Sequence, residues 1–123
     1  LVPENQLSTA KARKLLPESI SHQDAVLNSS RTALLVHALA ERPDLLFTAT
    51  EDLLHQKYRE EAMPKSIALV EKLRGAGLAA VVSGAGPSVM VLYSGAEDEI
   101  DQIQSVSPGF TAMKLAIAKT GVQ

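Results

Sequence analysis

The chain has 123 residues, with 12 basic and 14 acidic side chains, a net charge of −2, and no Cys or Trp. That length suits one domain or a piece of one, and 46% apolar residues exclude general disorder. The acidic balance excludes the basic face that nucleic acid or an anionic membrane surface requires. Without Cys there are no disulfides, thiolate zinc sites or cysteine nucleophiles, a composition compatible with a reducing cytoplasm. No apolar run approaches the ~20 residues of a membrane span. With aromatics at 3%, the core has to be aliphatic.

Leu1 and Val2 read as the stub of a strand that Pro3 closes. The start carries neither a Met nor a signal-peptide pattern, so the chain reads as beginning inside a domain. Ser8 opens a short helical segment that Pro17 stops. Ser21-x-x-Asp24 is a stronger helix start, and Leu27, Leu34, Leu35, Ala38 and Leu39 follow at helical spacing. Val26 and Val36 widen that stripe, which predicts a mostly buried helix. Pro43 suits a first helical position, with Leu46, Ala49, Leu53 and Leu54 repeating behind it. A further helix starts at Pro64, turns Ile67, Val70 and Leu73 inward, and ends at Gly75 and Gly77.

Residues 78–82 and 89–93 are short apolar runs rich in β-branched side chains, joined by Ser83-Gly84-Ala85-Gly86-Pro87-Ser88. They predict two antiparallel strands linked by a glycine loop. Ile100, Ile103 and Val106 stripe an acidic surface helix, and Phe110, Ala112, Lys114 to Ile117 and Val122 fit a last strand less cleanly. The order predicts an α+β fold, a ferredoxin-like sandwich: a mainly antiparallel sheet with helices packed on one face.

His22, His37 and His55 form no metal-ligand spacing and read as solvated or core-edge histidines. No G-x-S-x-G turn exposes a nucleophilic serine. The glycine loop is neither a Walker A motif nor a dinucleotide fingerprint, since no Gly-Lys-Ser/Thr follows and a strand comes next. Its spacing reads as a hairpin turn, although Gly84 and Gly86 also let a ligand approach backbone N–H groups closely. Arg42 and Arg74, near helix ends, read as solvated. Arg31 sits in an apolar helix and has to snorkel or find a partner. Arg13 and Arg59 read individually as surface, but two converging arginine forks would suit a small carboxylate or phosphate.

Ser8-Thr9-Ala10-Lys11-Ala12-Arg13-Lys14-Leu15-Leu16-Pro17, His22-Gln23-Asp24-Ala25-Val26, Asn28-Ser29-Ser30-Arg31, Tyr58-Arg59 and Val82-Ser83-Gly84-Ala85-Gly86-Pro87-Ser88 together resemble the C-terminal half of homoserine kinases. That family shares a superfamily with galactokinase and mevalonate kinase. The resemblance runs over nearly the whole chain. The glycine loop marks only the superfamily; the Thr9 to Pro17 segment with Tyr58-Arg59 narrows it to the homoserine branch. It implies transfer of the γ-phosphate of ATP, with Mg2+, to the hydroxyl of L-homoserine on the route to threonine. Arg13 and Arg59 match the arginines that hold the substrate carboxylate, and Thr9 matches a threonine near the transferred phosphate. Gly84, Ala85 and Gly86 match the loop that packs on the nucleotide loop and shapes the phosphate and substrate site. Arg31 matches an often basic supporting position.

The family's nucleotide loop, the acidic residue that helps hold magnesium, and the asparagine and aspartate that grip the homoserine amine and hydroxyl have no counterpart in these residues. The expectation is therefore a C-terminal domain, residues 1–123, of a two-domain cytoplasmic kinase, inactive alone. A free-standing amino-acid-binding regulatory domain and a plain interaction module are the rival readings. An edge strand at the chain's start would invite pairing with a second copy as a homodimer.

Overall fold

Prolines, glycines and one capping serine set most element boundaries in the computed structural model, which describes residues 1–93 and 98–116. Strand β1 spans Val2–Pro3, and helix α1, Thr9–Lys14, follows. Ser8 supplies the extended N-cap backbone of α1, but its side chain makes no capping hydrogen bond. At α2, His22–Ala40, the Ser21 hydroxyl accepts the Asp24 N–H at 3.0 Å, and the Asp24 carboxylate lies in the first turn. A 3-10 turn, Pro43–Leu45, leads into the single-turn α3, Leu46–Ala49. A second 3-10 helix spans Lys57–Ala62, and α4, Pro64–Gly75, starts with Pro64 in its first turn.

Strands β2, Ala79–Val82, and β3, Val89–Leu92, pair antiparallel with Ala79 opposite Leu92 and Val82 opposite Val89. Helix α5 spans Asp98–Ser105, and β4, Phe110–Thr111, pairs antiparallel with β1. Leu1 joins the two ladders edge to edge. Its amine donates to the Val89 carbonyl and its carbonyl accepts the Val89 N–H, both at 2.9 Å. The result is the expected α+β architecture of antiparallel ladders covered by helices.

The main core lies between α4 and the β2–β3 ladder. Ile67, Val70 and Leu73 of α4 meet Ala80, Val82 and Val89, and Ile103 of α5 closes the cluster. A strand alternates its side chains, so Ala79 points away from Ala80. There it meets Ala38 of α2 and Leu46 and Ala49 of α3 in a second small core. Among the described residues no helix is long and apolar enough to cross a membrane.

Three local expectations change. Helix α2 is not mostly buried: only Ala38 is fully enclosed, while Val26 is 53% and Val36 70% exposed. One face of the helix packs on α3 and the opposite face turns outward whatever residues it carries. The helix after Pro43 also stops short of Leu53 and Leu54. Thr50 Oγ1 turns back onto the Leu46 carbonyl at 2.8 Å, and Asp52 then captures the next free N–H groups. Finally, among the described residues regular strand structure near the C-terminus is confined to Phe110–Thr111. Lys114 and Leu115 are exposed in irregular chain, and Ile117 and Val122 lie outside the described residues.

Arg74 is not a solvated helix-end cation. Its guanidinium donates to the Phe47 carbonyl at 2.8 Å, to Thr50 Oγ1 at 3.0 Å and to the Ala80 carbonyl at 3.3 Å. It also stacks 4.3 Å from the centre of the Phe47 ring. One side chain thus ties α4 to both α3 and β2. Burial pulls its pKa below the ordinary arginine value, with Glu51 opposing. Arg42 does sit at the surface, in a bidentate pair with Asp44, and Arg31 finds its partner in Glu51 at 2.7 Å.

Candidate functional site

The loop between β2 and β3 closes as a hairpin: the Ser83 N–H donates to the Ser88 carbonyl at 2.8 Å, and the Gly86 N–H to Ser83 at 3.0 Å. Gly84 and Gly86 take left-handed backbone angles, φ +59° and +82°, that L side chains rarely adopt. The loop lies against the start of α4. A Cβ on Gly86 would stand 2.6 Å from Sδ and Cε of the buried Met63. The Gly86–Pro87 peptide is cis, and the Pro87 carbonyl accepts the hydroxyl of Ser66, a residue only 2% exposed, at 2.5 Å. Ser66→Ala leaves that carbonyl without its donor, and is expected to cost about 1–3 kcal/mol in urea unfolding.

Arg59 reaches the loop from the second 3-10 helix. It is 7% exposed, and its Nη1 donates to the Gly84 carbonyl at 3.0 Å. Its Nε is buried with no partner, and among the described residues no carboxylate pairs with the guanidinium. A buried, unneutralised arginine is costly unless something anionic joins it. It borders a cleft of about 240 Å³ shared with Asp52, His55, Gln56, Val82 and Gly84. Gln56, one 3-10 turn before Arg59, accepts the Val82 N–H on its Oε1 at 2.7 Å.

Asp52 organises the approach to this turn. Its carboxylate accepts the Gln56 N–H at 2.6 Å and the His55 N–H at 2.9 Å, and meets His55 Nδ1 at 2.9 Å. Burial pushes the carboxyl pKa up, but the Gln56 and His55 hydrogen bonds outweigh it and hold it below the ordinary carboxylate value. An ionised carboxylate only accepts, so Nδ1 carries the imidazole proton.

The structure thus brings together two of the sequence-derived groups, Arg59 and the loop Gly84, Ala85 and Gly86. Thr9 and Arg13 do not line that cleft. Both are exposed on α1, which the buried Ala12 anchors beside the 3-10 helix. Sequence reasoning passed over Asp52 and Gln56. Their spacing carried no signal, since Gln56 stands four residues after Asp52 and a capping box needs three. Among the described residues no three His, Asp or Glu side chains group as they would around a metal ion.

Residues 30–107 match the family described as GHMP kinases C terminal. The homoserine kinase of Mycobacterium sp. (strain JLS) is 50% identical over 117 residues, covering 94% of this chain and 37% of that protein. The homoserine kinase of Streptomyces coelicolor is 50% identical over 121 residues, covering 98% and 38%. That of Leifsonia xyli subsp. xyli is 61% identical over 94 residues, covering 76% and 29%. The chain therefore spans less than two-fifths of the length of these relatives. Among solved structures, the homoserine kinase of Cytophaga hutchinsonii shares the fold with a TM-score of 0.70 at 23% identity, over 85% of this chain and 34% of that one. A match that takes in the second core, the buried Arg59, the glycine loop and α5 makes this chain a member of the GHMP kinase C-terminal family.

Proposed function

We propose that this chain is the substrate-binding, C-terminal part of a cytoplasmic homoserine kinase, which moves the γ-phosphate of ATP to the hydroxyl of L-homoserine. The observation that carries the reading is Arg59, a buried guanidinium with a free Nε beside the glycine loop. A carboxylate is the group such a fork accepts, and homoserine brings one. Arg13 is the second carboxylate contact on this reading, and Thr9 lies nearest the phosphate in transit. In the reaction the homoserine oxygen bonds to the γ-phosphorus, the bond to the ADP oxygen breaks, and the hydroxyl proton is released. Such transfer rests mainly on positioning and charge stabilisation, which fixed arginines and a constrained glycine loop supply.

Magnesium, when bound, neutralises phosphate charge. The described residues offer it no cluster, so its ligands and the nucleotide loop belong on this reading to the part of the relatives that the chain does not match. An ADP-release assay is the test. Homoserine-dependent turnover is expected from the whole kinase and none from residues 1–123 alone. Turnover by the 123 residues alone would overturn the division of labour, and a whole protein indifferent to homoserine would overturn the substrate.

A further inference from the structure

Arg59 is not the only link between the 3-10 helix and the glycine loop. A 3-10 helix has three residues per turn, so side chains at i and i+3 lie one above the other. Gln56 occupies the N-cap position of this helix, without a side-chain capping bond, and stands one turn before Arg59. Both point at the same stretch of chain. Gln56 Oε1 accepts the N–H of Val82, the last residue of β2, at 2.7 Å, and Arg59 Nη1 donates to the carbonyl of Gly84 two residues later at 3.0 Å. Asp52 fixes the turn from the other side through the Gln56 N–H at 2.6 Å. Val82 is buried and Gln56 half-buried, so the contact is partly shielded from water.

We infer that Gln56 is a positioning residue for substrate binding: its side chain latches the 3-10 helix to the end of β2 and holds the Arg59 fork and the Gly84 carbonyl in register across the cleft. The inference deepens the homoserine reading and rests on it. Without the latch, Arg59 keeps its charge and its place in the sequence but loses the fixed geometry on which bidentate capture depends. The effect therefore falls on the amino acid and not on the nucleotide.

The test compares Gln56→Asn, whose acceptor is one methylene too short to reach Val82, with Gln56→Leu, which keeps the apolar bulk and removes the acceptor without placing a charge beside Arg59. Both are measured in the whole kinase. Gln56→Asn is expected to raise the homoserine KM roughly three- to tenfold, the effect of losing one hydrogen bond, with the ATP KM and kcat within about twofold of the parent. Gln56→Leu is expected to raise the homoserine KM to the same extent. A Gln56→Asn protein that melts lower but binds homoserine as before would reduce the contact to a structural one and overturn the inference. So would a Gln56→Leu protein that binds homoserine as the parent does. If Gln56→Asn does not fold, the Leu variant decides by the same KM criterion. Arg59→Met separates the two levels. An unchanged homoserine KM there sinks the carboxylate reading itself, whereas a raised one beside an unaffected Gln56→Asn sinks only the latch.

Discussion

Replacing Arg59 with methionine is expected to raise the homoserine KM of the whole kinase by roughly ten- to a hundredfold. A hydrogen bond to a charged group contributes about 1.5–3 kcal/mol, and each 1.4 kcal/mol is a factor of about ten in binding. The substitution keeps the buried volume and removes the fork. Arg59→Lys keeps the charge without the planar pair of donors, and is expected to recover only part of the loss. The unliganded protein supplies the decisive contrast. Arg59 is 7% exposed, has no carboxylate partner among the described residues and leaves its Nε unsatisfied. Burying an unpaired charge is unfavourable, so Arg59→Met should melt no lower than the parent without substrate. The Gly84 carbonyl that loses its donor belongs to an exposed residue, where water replaces the contact. Lost affinity with retained stability marks a binding residue. Lost stability with retained KM would mark a structural one.

The second large effect concerns stability. Gly86→Ala is expected to destabilise the fold by about 2–3 kcal/mol, against the ~5–15 kcal/mol that holds a domain together. Two penalties combine. At φ +82° a side chain carries a left-handed strain of about 1–2 kcal/mol. The new Cβ would also fall 2.6 Å from Sδ and Cε of Met63, so the flexible end of that side chain, only 3% exposed in the main core, has to shift, which adds about 1 kcal/mol. Gly84→Ala serves as the control. Its φ is +59° but nothing stands within 4 Å, so only the backbone strain of about 1–2 kcal/mol applies. Urea unfolding of the two variants, with Met63→Ala combined with Gly86→Ala, separates the terms. Truncating Met63 should restore much of the contact penalty and none of the backbone strain. Equal losses at Gly84 and Gly86 would contradict the close packing of the loop on α4.

The two glycines also show what local reading reaches. Serine, glycine and proline around residues 83–88 were enough to predict a hairpin loop, because left-handed angles at glycine are a local property of the backbone. That Gly86 packs against a core side chain is a different fact, set by Met63 twenty-three positions earlier. Helix α2 makes the same point in reverse. Its apolar spacing was legible, but the exposure of Val26 and Val36 was not, since periodicity says which residues share a face and not what covers that face.

By itself the sequence determined the α+β class, the Ser21 cap, the Pro64 start and glycine end of α4, the β2–β3 hairpin and the motifs that resemble homoserine kinases. Each follows from interactions within a few residues, or from a pattern of residue types along the chain. The arginines were decided by tertiary structure alone. Arg13 and Arg59 both lie on short helical segments, yet one is exposed on α1 and the other is buried beside the Gly84 carbonyl. Arg31 and Arg74 likewise take partners about 20 or more positions away, in Glu51 and in the Phe47 carbonyl and Thr50 hydroxyl. A long cationic side chain is soluble anywhere on a surface and costly in an interior. Its fate depends on which distant acceptors the packing of α3, α4 and β2 brings within 3 Å or so.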